Sequence, residues 1–87
     1  MNKNIIKKIF SANLRAERAR INLTQEKLAE LSHVSTEYIS RLENAKVCPT
    51  ILVVTNIALA LDVDINILLP METIKKLEKD NKKDLIN

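Results

Sequence analysis

A chain of 87 residues is long enough for one domain and its core. Apolar residues make up 46% of it and charged residues 29%, with no run near the ~20 apolar residues of a membrane span, so a membrane partner is not expected. Fourteen Lys and Arg stand against eleven Asp and Glu, and the single cysteine, Cys48, excludes an internal disulfide, which together predict a reduced, cytoplasmic protein.

The excess positive charge is placed unevenly. Residues 1–48 hold nine basic and five acidic side chains, whereas residues 49–87 hold five and six. A basic first half suits a polyanionic partner. The only aromatics are Phe10 and Tyr38, so the core is expected from Ile, Leu, Val and Ala. Two prolines and no glycine argue against long loops, and the recurring helical spacing of apolar residues predicts an all-α fold. No N-terminal apolar run reaches the length of a signal-peptide core, since Lys7 and Lys8 interrupt the only candidate.

A first helix is predicted from Asn2 or Asn4, either able to cap it, to about Arg20. Ile6, Phe10, Leu14 and Ile21 recur along it, flanked by Ile9. Asn22 suits the helix exit, because asparagine tolerates the left-handed conformation found there. Leu23 then returns to the core. Thr24 is a good N-cap, and a two-turn helix over residues 25–32 carries Leu28, Ala29 and Leu31. His33 and Val34 form a break. Ser35 caps a second short helix, Thr36 to Asn44, whose inner side is Ile39 and Leu42, with Val34 plugging the turn. Thr36, Glu37, Ser40 and Arg41 are left on the outer face, and Ala29 is small enough to let the two helices approach closely. Two short helices so joined make a helix-turn-helix, in which the second helix presents its outer side chains to the major groove.

The loop Lys46 to Pro49 leads to a fourth helix. Pro49 suits its start, and Thr50 is the better cap chemically. Ile51, Val54, Ile57, Ala58 and Leu61 form one stripe, continued by Val63 and Leu68. A fifth helix is expected from Asp64, its cap, to Leu69. Leu52, Val53, Leu59, Ile65, Ile67 and Leu69 exceed what so small a domain can bury, and surplus apolar surface marks a partner site. Pro70 closes the compact unit, 1–70. Residues 71–87 form a polar, lysine-rich tail with Met71, Ile74, Leu77 and Asn81 at near-helical spacing. Two heptads are too few for a coiled coil alone, so a docking helix, a dimer extension and a frayed tail all stay open.

Thr24-Gln25, Leu28-Ala29, Val34-Ser35, Ile39-Ser40, Leu42-Glu43-Asn44 and Pro49 together resemble the Cro/phage-repressor (xenobiotic-response-element) helix-turn-helix family, over about Phe10 to Leu69. The resemblance implies a five-helix, lambda-repressor-like DNA-binding domain with a short C-terminal helical tail. It implies that Arg18 pairs with Glu43, at the end of the recognition helix, and that Gln25 contacts a phosphate. It also implies a dimer through the fourth and fifth helices. The chain departs from the family at two positions where glycine is usual, here His33 and Ala45.

Each exposed group has a chemistry to match. The Arg41 guanidinium can bond both acceptors of guanine, Thr36 can touch a thymine methyl, Ser40 can donate or accept, and Glu37 can accept from cytosine. Gln25 sits at a helix N-terminus, which favours an anion. Asn44 and Lys46 lie beyond the recognition helix, placed for phosphates on its other side. Tyr38 can reach a phosphate through its hydroxyl or lie against the protein. No catalytic, metal or cofactor site is expected. There is one histidine, Cys48 and His33 sit in separate loops with nothing to orient them, and Glu26, Glu30 and Glu37 lie on short exposed helices.

The expected function is therefore sequence-specific binding of double-stranded DNA by a transcriptional regulator, a repressor acting as a homodimer. The tail is available to a protein partner. Two alternatives are an antitoxin whose tail meets a toxin, and an interaction module that has lost DNA binding.

Overall fold

Four short polar residues set where helices begin in the computed structural model, which describes residues 3–86. The helices are α1 (Lys3–Arg20), α2 (Gln25–Ser32), α3 (Thr36–Glu43), α4 (Ile51–Leu61), α5 (Ile65–Leu68) and α6 (Met71–Ile86), with no strand among the described residues. Thr24 Oγ1 accepts the Lys27 N–H at 3.0 Å, Ser35 Oγ that of Tyr38 at 3.1 Å, and Thr50 Oγ1 that of Val53 at 3.2 Å. Asp64 Oδ1 accepts the Asn66 N–H at 2.8 Å and starts α5. A side-chain cap of this kind is worth about 1 kcal/mol, because it satisfies an amide that the helix cannot. Asn2 lies outside the described residues, and Asn4 is inside α1, not before it.

The exits are as regular as the starts. Asn22, His33, Ala45 and Asp62 follow α1, α2, α3 and α4 and all have positive φ, between 54° and 62°. Glycine is the usual residue there, and this chain has none.

Phe10 and Leu14 of α1, Leu28 and Ala29 of α2, Ile39 and Leu42 of α3, four residues of α4 and Leu68 of α5 make one buried cluster. Leu23, Val34 and Val63, each directly after the left-handed residue that follows a helix, close over its edge. Burying a side chain of Leu or Phe size contributes about 1.5–3 kcal/mol, so this cluster holds the short helices in place. Asn13 of α1 donates to the Leu68 carbonyl at 3.1 Å and ties α5 to the first helix.

Several residues lie elsewhere than their spacing predicts. Ile51 is 76% exposed, because it opens α4 one turn before the helix meets the core. Ile21 lies past the end of α1 and is exposed. Val53 and Leu69, expected in the surplus, are half-buried against the core. Leu52 and Leu59, seven residues apart and hence on one line of the helix, face away from it and are 67% and 74% exposed. Ile65 and Ile67 are exposed as well. Directly after Pro70, α6 begins and packs on α1 with Ile74 buried, while Met71 and Leu77 are exposed. The side chain of Asn81 lies outside the described residues.

Candidate nucleic-acid interface

The outer face of α3 is built by what its inner face must do. Ile39 and Leu42 go fully into the core, and the 3.6-residue period then turns Glu37 and Arg41 outward. Thr36 and Ser40 flank them and are half-buried. Glu37 and Arg41 are four apart, a spacing that allows an ion pair. Yet the ion pairs among the described residues are Arg18–Glu43, Glu17–Arg20 and Lys27–Glu30, and Arg41 is in none of them. The Arg41 side chain is exposed.

Behind this face stands a polar brace centred on Glu43, which is only 3% exposed. Arg18 Nε donates to Glu43 Oε2 at 2.6 Å, and the Arg18 NH2 nitrogen donates to Oε1 at 3.0 Å. The remaining Arg18 nitrogen donates to the Leu23 carbonyl at 2.8 Å. Two parallel bonds from a planar fork fix both partners in orientation as well as distance. The hydrogen bond to Glu43 raises the Arg18 pKa above its ordinary value, against the opposing effect of burial, so the guanidinium stays charged. Gln25 Nε2 donates to Glu43 Oε1 at 2.9 Å, and an Arg15 guanidinium nitrogen donates to the Glu43 carbonyl. One residue at the end of α3 thus receives bonds from α1 and α2.

The other expected phosphate contacts fall as follows. Lys46 is exposed in the turn after α3. The Asn44 side chain folds back, and its Nδ2 donates to the Ser40 carbonyl at 2.8 Å. This amide serves the helix end first. The Tyr38 side chain is half-buried, with its ring packed against the core. The Gln25 amide is shared with Glu43, with one of its two N–H groups left over.

Sequence reasoning missed Arg15 and the inward role of Gln25. Arg15 and Arg18 are three apart and so share a face of α1, which is the signal that would have paired them. Among the described residues no group of three or more His, Cys, Asp or Glu could hold a metal ion. The Cys48 thiol lies in the α3–α4 loop and is 3.9 Å from the Lys3 carbonyl. Among the described residues no single helix is long and apolar enough to cross a membrane.

A helix-turn-helix family model matches residues 14–68. Among solved structures, the restriction-modification controller protein C.AhdI from Aeromonas hydrophila is similar, with 30% identity and a TM-score of 0.67 over 69% of this chain and 91% of its own. The clp gene regulator ClgR from Corynebacterium glutamicum is similar in two structures. One shows 30% identity and a TM-score of 0.70 over 74% of this chain and 83% of its own. The other shows 25% identity and a TM-score of 0.75 over 98% of this chain and 90% of its own. No curated protein matches the chain significantly.

Proposed function

Because the chain belongs to the helix-turn-helix family of transcription regulators, we propose that it binds double-stranded DNA sequence-specifically and represses transcription by occupying its site. The observation that carries this reading is the outer face of α3. Arg41 is exposed and in none of the ion pairs among the described residues, on a helix whose opposite face is locked into the core. Thr36, Glu37, Ser40 and Arg41 read base edges in the major groove. Gln25, through its second N–H, Asn44, Lys46 and the Tyr38 hydroxyl meet phosphates on either side.

An eight-residue helix is about 12 Å long and reads only a few base pairs. That is little information against a genome of competing sites, and a second copy is the usual remedy. Two-fold pairing would set two recognition helices about 34 Å apart on one side of a near-palindromic duplex. The exposed Leu52, Leu59, Ile65 and Ile67, with Val53 behind them, supply an apolar contact on the half of the chain with little net charge. Of Ile74 and Leu77, the pair expected to extend that contact, Ile74 is buried in the fold, so residues 71–87 either extend it through Leu77 or meet a protein partner.

The test uses a duplex selected by the full chain from a random-sequence pool. Arg41→Ala should lower affinity by ~1–3 kcal/mol and relax preference at one base pair. Full affinity with an unchanged preference would remove α3 from base recognition. Sedimentation with and without that duplex should show two chains per duplex, and one chain per duplex would dismiss the dimer.

A further inference from the structure

We propose that Arg15 is a positioning residue for the recognition helix, holding an exit from α3 that the chain's own sequence leaves weak. The proposal rests on the DNA-binding reading above. Its starting point is how the last four carbonyls of α3 are satisfied. The Ser40 carbonyl accepts from the Asn44 N–H at 3.0 Å, that of Arg41 from the Lys46 N–H at 2.9 Å, and that of Leu42 from the Ala45 N–H at 3.2 Å. The fourth, Glu43, accepts from Arg15. A helix leaves four such groups without an internal partner. The backbone turn satisfies three of these, and a side chain from α1 satisfies the last.

The same turn ends α1, α2 and α4, and comparison shows what the α3 exit lacks. After α1, Asn22 and Leu23 donate to Ala19 and Arg18; after α2, His33 and Val34 donate to Glu30 and Ala29; after α4, Asp62 and Val63 donate to Leu59 and Ala58. In those three turns the left-handed residue is Asn, His or Asp, the types enriched in that conformation. The next residue is Leu23, Val34 or Val63, packed on the core. At the α3 exit the left-handed residue is Ala45, whose Cβ opposes that conformation, and the next residue is the exposed Lys46. Neither usual support is present. Arg15 replaces them from outside the turn, a cation at a helix C-terminus where the exposed carbonyls favour one. With Arg18 on the Glu43 carboxylate, α1 grips both the side chain and the backbone of one residue. The direction in which the chain leaves toward Asn44 and Lys46 is thereby fixed.

The rival role for an exposed arginine is a direct phosphate contact, and the two separate cleanly. Affinity for the selected duplex, and its salt dependence, should be measured for the wild type, Arg15→Ala, Ala45→Gly and the double variant. A positioning role predicts that Arg15→Ala weakens binding about tenfold, the scale of a lost bond to a charged donor. The salt slope should stay unchanged. Ala45→Gly in the same chain should recover most of the loss, because glycine holds the turn without help. Arg15→Lys, which keeps a cationic donor, should recover part of it. Unaltered affinity in Arg15→Ala would overturn the proposal. So would a slope lower by about 0.9, one phosphate contact, with no rescue by glycine. The same four proteins without DNA give a second decision: thermal unfolding should show Arg15→Ala lowering the midpoint more beside Ala45 than beside Gly, and equal drops would also overturn it. If the wild type selects no duplex, the DNA-binding reading fails, and the unfolding comparison still decides the role of Arg15.

Discussion

Two regions of this small domain meet the same core and finish differently. In the first, α1, α2 and α3 converge on the Glu43 carboxylate, where Arg18 and Gln25 bond both oxygens and Arg15 takes the carbonyl. In the second, α4 and α5 bury one side and leave Leu52, Leu59 and Ile67 in solvent on the other. The motif region is over-determined: apolar packing places its helices, and a charged network then fixes their orientation. The α4–α5 region is placed by apolar packing with little polar reinforcement, apart from Asn13 on Leu68 and Asn56 on the Ser32 carbonyl at 3.5 Å. A surface that must match a fixed external geometry needs orientation held closely. One that pairs by apolar contact needs shape and area, and tolerates adjustment.

The largest expected effect breaks the network at its centre. Glu43→Ala removes the acceptor for Arg18 and Gln25 and leaves their donors partly buried without it. Loss of one partner from a buried pair costs about 3–5 kcal/mol, and the lower end applies here because the Arg18 side chain is 24% exposed. Chemical denaturation should show that loss, with DNA affinity falling beside it. A change below about 1 kcal/mol would mean that packing alone orients α3.

Next in size is the coupling between the two partners. Arg18→Ala and Glu43→Ala, alone and together, should give an interaction energy of about 1–3 kcal/mol, because the second change removes a group already stranded by the first. Additive losses would show that the two side chains act independently. No pH dependence near neutrality should come from Arg18. Its folded pKa is raised, so its contribution is present below the unfolded value and is lost only as pH rises through the folded one. Both values lie above the neutral range.

The contrasting region should respond in association and leave stability nearly unchanged. Leu59→Ser and Leu52→Ser remove exposed side chains, so unfolding free energy should move by no more than about 0.5 kcal/mol. Self-association on the two-site duplex should weaken about tenfold, or ~1.4 kcal/mol. If stability falls and association is unchanged, the outer row of α4 serves the fold and is not a contact surface.

The two regions were also unequally legible in the amino-acid sequence. The helix order, the caps at Thr24, Ser35, Thr50 and Asp64, and most of the buried cluster follow from spacing and local chemistry, because each depends on residues within one or two turns. The surplus apolar residues of α4 and α5 were visible for the same reason, although Val53 and Leu69 turned partly inward. Ile51 could not be placed from its stripe, since periodicity does not say where a helix first meets its neighbour. Of the brace, the Arg18–Glu43 pair is implied by the family resemblance and is present, but the other two members are not legible. Arg15 and Gln25 lie 28 and 18 residues from Glu43, and only the packing of α1 and α2 brings them there. The turn after α3 was flagged by Ala45, but what supports it was not.

That turn gives the smallest and sharpest comparison. Ala45, His33 and Asn22 occupy the same left-handed conformation, with φ of 56°, 62° and 54°. For an alanine this conformation costs roughly 1–2 kcal/mol, because Cβ crowds the following carbonyl. Glycine removes that cost and adds about 0.5–1 kcal/mol of backbone entropy lost on folding. The difference predicts that Ala45→Gly stabilises the domain by about 0.5–1 kcal/mol. His and Asn carry a smaller left-handed penalty, so for His33→Gly and Asn22→Gly the two terms nearly cancel, and the second should be the closer to neutral. A ranking with Ala45 first, measured by denaturation of the three single variants, would show that local strain at this exit is real and survives because other contacts hold it. Equal, near-zero changes at all three would mean that the surrounding packing has already relieved the Ala45 turn. In that case the arginine behind it has little left to support.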